Sequence, residues 1–224
     1  MSDIPLTCLV CRSVQIQYLT RDELVKTDSP MSVEGVIVAL PFTDAELARR
    51  AASLMSLRAD SPGVILAISD VYGDGFIQLV NLAFKKTKSA YFAYVAQDAF
   101  AGRQWLKLGL TALGDSKNFL GFNDGKWAGA LAGFGLARRS WALQNYQGDF
   151  FYPQYKRHYA DAELTLIALQ NEVYSYDPNS VLVEVDWEKD GSSVAQEDRD
   201  LFNERKKDRF DGKISNSLLL NMYG

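Results

Sequence analysis

The sequence predicts an α/β domain built on a mostly parallel, open sheet flanked by helices. Three observations predict it. Short apolar, β-prone runs alternate with helix-patterned segments through the first half of the chain. The runs are continuous instead of alternating, as expected of strands buried on both faces. An acidic residue, Asp98, closes one of them (Tyr91-Phe92-Ala93-Tyr94-Val95-Ala96, then Gln97). In an open α/β sheet the carboxyl ends of the parallel strands form the ligand-binding edge, so Asp98 is placed where chemistry is expected.

Six runs read as strands: Leu6–Cys11, Val36–Leu40, Val64–Ser69, Tyr91–Ala96, Phe119–Phe122 and Val181–Val185. Between the early ones lie four helical patterns. The first covers Gln17–Lys26. The second follows Thr43, an N-cap candidate with Glu46 three residues on, and runs to Leu57. The third follows Gly73-Asp74-Gly75, with Phe76, Leu79, Val80, Ala83 and Phe84 at helical spacing. The fourth covers Gln104–Leu113. This β-α order calls for right-handed crossovers between parallel strands. After Gly125 the pattern is less regular. Gly133–Ala137 reads as a further strand, Asp161–Gln170 as a helix, and the charge-dense segment 187–209 as a solvated outer helix.

A chain of 224 residues with 47% apolar content suits one domain with a full core. Its net charge of −4, with both signs interspersed, disfavours a dedicated nucleic-acid binder. No apolar stretch reaches the roughly 18–20 residues that span a bilayer. The start Met1-Ser2-Asp3-Ile4-Pro5 lacks a basic segment before a long apolar one, so a cytoplasmic location is expected.

Cys8 and Cys11 have zinc or redox spacing. A single histidine, His158, leaves a zinc site short of ligands, and a redox pair normally opens a helix, so two reduced thiols are expected. Gly133-Phe134-Gly135-Leu136-Ala137-Arg138 departs from the dinucleotide fingerprint at its last position, and there is no phosphate loop and no nucleophile elbow. Asp98 could equally cap the next helix. Asp161 and Glu163 could simply be first-turn acids facing a helix dipole. The aromatics Trp127, Phe150, Phe151, Tyr152, Tyr155 and Tyr159 suit either core packing or stacking on sugar faces.

The order of these features resembles the family-2-like glycosyltransferases of GT-A fold, over roughly residues 5–187. The family's helix start looks like Gly75-Phe76-Ile77-Gln78-Leu79-Val80-Asn81. Its metal-binding D-x-D looks like Ala96-Gln97-Asp98, its Trp-Leu pair like Trp105-Leu106, and its base motif like Ala160-Asp161-Ala162-Glu163-Leu164. Three positions depart from the family. Ala39-Leu40-Pro41 stands where an acidic pair would hold the nucleotide base. Ala96 replaces the first D-x-D acid, and Asp186 lies where a late histidine ligand is common.

The resemblance implies a GT-A-type sheet with an irregular acceptor-side C-terminal half. Residues 1–125 would bind the nucleotide-sugar, 126–187 would face the acceptor, and 188–224 would form a charged C-terminal extension. It implies inverting transfer of a sugar to a hydroxyl of a glycan, a protein or a modified nucleobase. Asp161 would be the base and Glu163 would orient the acceptor. Arg12, Leu40, Asn81, Gln97 and Asp98 would line the donor site, and Asp98 would bind Mn²⁺ or Mg²⁺ bridging the diphosphate. The alternatives are a catalytically degenerate nucleotide- or glycan-binding protein and a nucleotidyltransferase. The second would need a Gly-rich basic loop where this chain has Arg12-Ser13-Val14-Gln15.

Overall fold

The computed structural model describes residues 14–27, 29–185 and 196–223. In chain order these form β1 (Val14–Thr20), α1 (Arg21–Val25), β2 (Met31–Ser32), β3 (Val36–Phe42), α2 (Ala45–Arg58), β4 (Gly63–Ser69), α3 (Phe76–Lys86), β5 (Thr87–Lys88), β6 (Tyr91–Tyr94), β7 (Ala99–Ala101), α4 (Trp105–Leu113), β8 (Phe119–Asn123), β9 (Gly135–Arg138), α5 (Arg139–Ala142), α6 (Ala160–Gln170), β10 (Tyr174–Glu184), α7 (Gln196–Lys207) and α8 (Ser217–Leu220). The main sheet runs β1-β4-β3-β6-β9-β8-β10-β7. Strands β1, β4, β3 and β6 are mutually parallel. β9 is antiparallel to both β6 and β8, and β10 returns parallel to β8. A two-stranded ladder of β2 and β5 lies apart. Among the described residues no helix is long and apolar enough to cross a membrane.

β3 is the central parallel strand because it can be buried on both sides. Val36 to Leu40 are all inaccessible to solvent, whereas in β1 only Val14 is buried. At about 1.5–3 kcal/mol per large apolar side chain, that difference decides which strand takes the interior. Pleating sends Val36, Val38 and Leu40 into one layer with Met55 of α2 and Trp105 and Leu106 of α4. Ile37 and Ala39 enter the opposite layer with Val80 and Phe84 of α3 and Leu164 and Ile167 of α6. The Trp105 indole N–H is satisfied inside its layer by the Met55 carbonyl at 2.9 Å.

Several sequence expectations shift here. The helix expected over Gln17–Lys26 begins only at Arg21, because Val14–Thr20 pairs with β4 along its whole length. Thr20 marks the change: its hydroxyl accepts the Glu23 N–H, while the Glu23 carboxylate accepts the Thr20 N–H. The cap of α2 is Asp44 instead of Thr43. Asp98 does not cap α4, since β7 intervenes and Gln104 occupies that position. The last strand is longer than Val181–Val185, starting at Tyr174 and shifting register between Tyr176 and Val181. Leu6–Cys11, with Cys8 and Cys11, and also Arg12 and Asp186 lie outside the described residues.

The largest correction concerns the C-terminal charged segment. Helix α7 is solvated on one face only. Asp198, Phe202 and Arg205, at i, i+4 and i+7, are buried. Arg205 forks onto the fully buried Glu163, with Nε to Oε2 and Nη2 to Oε1 both at 2.7 Å. The Tyr146 and Tyr155 hydroxyls donate to the same carboxylate at 2.9 Å each. The guanidinium also lies over the Tyr152 ring, 3.4 Å from its centroid, and reaches Asp211. Glu163 therefore anchors the C-terminal helix and does not face an acceptor as expected.

Removing one partner of a buried, hydrogen-bonded ion pair strands the other charge, at a cost of about 3–5 kcal/mol. Glu163→Gln and Arg205→Met should each lower the unfolding free energy by about that amount in urea titrations. The combined Glu163→Gln/Arg205→Met variant should lose less than the sum of the two single changes.

Candidate active site

The carboxyl ends of β3, β4 and β6 meet at one edge of the sheet, on either side of the point where the connections switch direction. Gln97, just beyond β6, ties this edge together. Its Oε1 accepts the Thr43 and Asp44 N–H groups at 2.8 and 2.9 Å, so the loop after β6 is clamped to the start of α2. Beyond β4, the Asp70 carboxylate accepts the Asp74 and Gly75 N–H groups at 2.9 and 3.0 Å, closing the turn into α3. Gly75 has φ +90°, and a Cβ there would sit 2.9 Å from the Lys156 carbonyl oxygen. Only glycine permits that turn to approach the 156–158 segment so closely.

That approach closes one side of a cavity of about 1000 Å³. Ala96 and Tyr94 line it from β6 and beyond, Phe76 and Ile77 from α3, and Asp124, Lys126 and Trp127 from the loop after β8. Arg157 to Ala162, excepting Ala160, line the third side. Arg199, Phe202, Asn203, Met222 and Tyr223 close it from the C-terminal segment.

Asp161, the second residue of α6, lines this cavity together with the acids Asp124 and Glu184. Its Oδ1 accepts the Ala162 N–H at 2.9 Å. Burial pushes its pKa up to about 6, against the lowering by the Ala162 and Asp161 N–H groups. The charge of Asp124 adds to the rise and that of Lys126 opposes it. The N–H groups of the helix start favour the ionised form, and desolvation outweighs them.

The backbone that aims Asp161 is strained and held. Tyr159, the N-cap of α6, has φ +67°, a left-handed conformation that non-glycine residues rarely adopt. Its ring stacks on Phe202 of α7, with centroids 4.9 Å apart and planes at 30°, and its hydroxyl accepts from Arg199 Nε at 3.2 Å. Just before it, the buried Asp198 carboxylate accepts three successive N–H groups, of Lys156, Arg157 and His158, each at 2.9 Å. One face of α7 thus fixes the segment leading into Asp161.

The other sequence candidates are distributed unevenly. Gln97 and Asp98 lie at the expected edge. Gln97 spends its carbonyl on the clamp, and the Asp98 carbonyl accepts the Val185 N–H at 3.3 Å. Leu40 is fully buried inside β3, so Ala39-Leu40-Pro41 is strand interior and the strand end is Phe42-Thr43-Asp44. Asn81 is buried in α3, where its side chain accepts the Phe150 and Phe151 N–H groups and donates to the Phe151 carbonyl. Leu40, Asn81, Gln97 and Asp98 are all outside the cavity's lining, which Ala96 reaches from the loop after β6. Asp124, Lys126, Arg157, Arg199 and Tyr223 line it without having been singled out. The rule that selected Asp98, an acid closing a buried strand, also selects Asp124 after β8. No group of three or more His, Cys, Asp or Glu side chains among the described residues is arranged to hold a metal ion.

No protein-family model and no curated protein matches the sequence. Solved structures do match. The chain is similar to a mutant Drosophila β-1,4-galactosyltransferase 7 in complex with manganese, UDP-Gal and xylobiose. Identity is 14% and TM-score 0.56, over 73% of this chain and 76% of that one. The fold is of the GT-A type. It is also similar to Staphylococcus aureus TarS in complex with UDP (12% identity, TM-score 0.53), over 77% of this chain and 63% of that one. A third is the Pyrobaculum calidifontis mannosyltransferase PcManGT with GDP-Man and Mn²⁺ (13%, 0.50), over 83% of this chain and 66% of that one.

The architecture makes Asp198 a test of how the site is held. Asp198→Ala leaves three backbone donors without their charged acceptor, and each such hydrogen bond contributes about 1.5–3 kcal/mol. Unfolding free energy should fall by roughly 3 kcal/mol or more, and hydrogen exchange at residues 156–159 should accelerate ahead of global unfolding. Unchanged exchange there would mean that the segment is held by other contacts.

Proposed function

We propose that this chain transfers a sugar from a nucleotide-sugar to a hydroxyl acceptor, with Asp161 as the general base. The observation that carries the reading is Asp161 itself: a carboxyl in a large cavity at the ligand-binding edge of a GT-A-type sheet, tuned to about 6. A base with a pKa near the working pH is ionised in use and still binds a proton well.

In this reading the donor's sugar lies against Ala96, its diphosphate points toward the C-terminal segment, and the acceptor enters past Trp127. The acceptor oxygen attacks the anomeric carbon and its proton passes to Asp161. The bond from that carbon to the diphosphate breaks on the opposite face, which inverts the configuration. The nucleoside diphosphate leaves with the electron pair. Trp127, 41% exposed at the cavity's rim with Lys126 Nζ 5.3 Å from its ring centroid, offers an aromatic face for a sugar. Asp98 stays on the donor side as an acceptor of sugar hydroxyls. Gln97 holds the loop that carries Ala96 through its clamp on Thr43 and Asp44. Asp98 belongs to no group of three or more metal-ligating side chains among the described residues, so it would hold an ion bridging the diphosphate only together with the donor's own phosphates.

The test is transfer from a panel of nucleotide-sugars to simple glycosides, followed by mass spectrometry. kcat/KM should rise with pH, reach half its maximum near pH 6 where Asp161 ionises, and level above it. Asp161→Asn should reduce transfer about 10²–10⁴-fold with little change in donor affinity. Stability should move the other way. Because folding raises the pKa of this acid, the native state binds more protons between about pH 4 and 6, and the wild type loses stability as pH rises through that window. Asp161→Asn should lack this loss and melt higher than the wild type at pH 8. Wild-type transfer rates in Asp161→Asn would remove the base assignment.

A further inference from the structure

Two arginines stand at the mouth of the same cavity, and one buried residue places both. Arg157 follows a backbone fixed by the Asp198 carboxylate, which accepts its N–H at 2.9 Å. Arg199 is the next residue after Asp198 on α7, and its Nε is held at 3.2 Å by the Tyr159 hydroxyl. Both are exposed at the rim while lining the cavity. Deeper in, Lys126 lies 3.9 Å from Glu184 and near enough to Asp161 to lower its pKa. The carboxylates Asp124, Asp161 and Glu184 line the same cavity. A planar guanidinium matches two phosphate oxygens at once, and a pair of them supplies the charge that a diphosphate needs.

We infer that Arg157 and Arg199 form a guanidinium clamp that binds the donor's diphosphate and stabilises it as leaving group without a divalent cation. The inference rests on the glycosyl-transfer reading and adds the means by which the leaving charge is met. As the bond between the anomeric carbon and the diphosphate oxygen breaks, its electron pair passes to that oxygen. The two guanidinium groups neutralise the charge, and the acceptor's proton goes to Asp161. Its basis is the cationic pair itself, two guanidinium groups at the rim of the cavity that Asp161 lines.

The experiment is calorimetric titration of the full chain with UDP, GDP, CDP and ADP, each in EDTA and in MnCl₂. One or more should bind in EDTA, with an affinity that changes less than about twofold on adding Mn²⁺ and weakens with ionic strength. Arg157→Gln and Arg199→Gln should each weaken binding at least tenfold, the size of a lost charge-assisted phosphate contact. Arg157→Lys should recover part of the loss, and the remote surface change Lys107→Gln should leave binding unchanged. Circular dichroism and melting of the unliganded variants separate loss of contact from loss of fold, and Arg199, on the solvated part of α7, carries the test if Arg157→Gln folds poorly. Binding seen only with Mn²⁺ would overturn the clamp and leave the transfer reading standing. EDTA-resistant binding of wild-type strength in both arginine variants would do the same. No binding of any of the four nucleotides, with or without Mn²⁺, would remove the transfer reading and the clamp with it.

Discussion

The candidate site depends on the buried pairing of Glu163 with Arg205. One carboxylate, closed to solvent, receives both arms of a guanidinium and two tyrosine hydroxyls. The energetics are asymmetric: a complete network of this kind is tolerable in a low dielectric, whereas an incomplete one costs several kcal/mol. Burial by itself would ease the proton off Arg205, but its hydrogen bonds to Glu163 and Asp211 outweigh that and keep it charged. Burial, then the charge of Glu163, holds the Tyr146 and Tyr155 hydroxyls protonated, so both remain donors. α7 therefore has one favourable seat against α6.

That seat determines the chemistry two turns away. With Arg205 docked, the same face of α7 presents Phe202 to Tyr159 and Asp198 to the N–H groups of residues 156–158. Those contacts hold Tyr159 in its left-handed conformation, and α6 then begins with Asp161 aimed into the cavity. The sheet contributes the other wall. The parallel strands supply a row of carboxyl ends, and Gln97 locks two of the loops that leave them. The nearest cavity-forming surfaces thus come from segments some hundred residues apart, held by a polar network instead of by loop length.

Much of the sheet was legible in the sequence because buried strands announce themselves. Val36–Leu40, Val64–Ser69, Tyr91–Ala96 and Phe119–Phe122 each lie on or across an observed strand. The helix that Asp161 opens was legible because an acid before an apolar, helix-patterned run is a local signal. β1 was misread because an edge strand carries a mixed sequence, Gln15, Gln17 and Tyr18 among Val14, Ile16 and Leu19, that local periodicity does not separate from a short helix. Its identity comes from pairing with β4. The role of α7 was hidden for a related reason. Asp198 and Arg205 look like any other members of a charged run, and only partners forty residues away distinguish them. Leu40 and Asn81 were assigned to the donor site by their order in the chain. The structure puts one in the core and the other in a backbone brace at Phe150 and Phe151.

If the chain transfers sugar, the cavity beside Asp161 is where its nucleotide donor binds. The most direct measurement is two-dimensional NMR of the isotopically labelled chain during titration with nucleoside diphosphates. The predicted result is a saturable set of shifts centred on Ala96, on Asp124, Lys126 and Trp127, and on the segment from Arg157 to Ala162, together with Arg199 on α7. Shifts centred instead on the separate hollow lined by Ser56, Arg58 and Arg103, or no saturable shifts with any of the nucleotides, would contradict it.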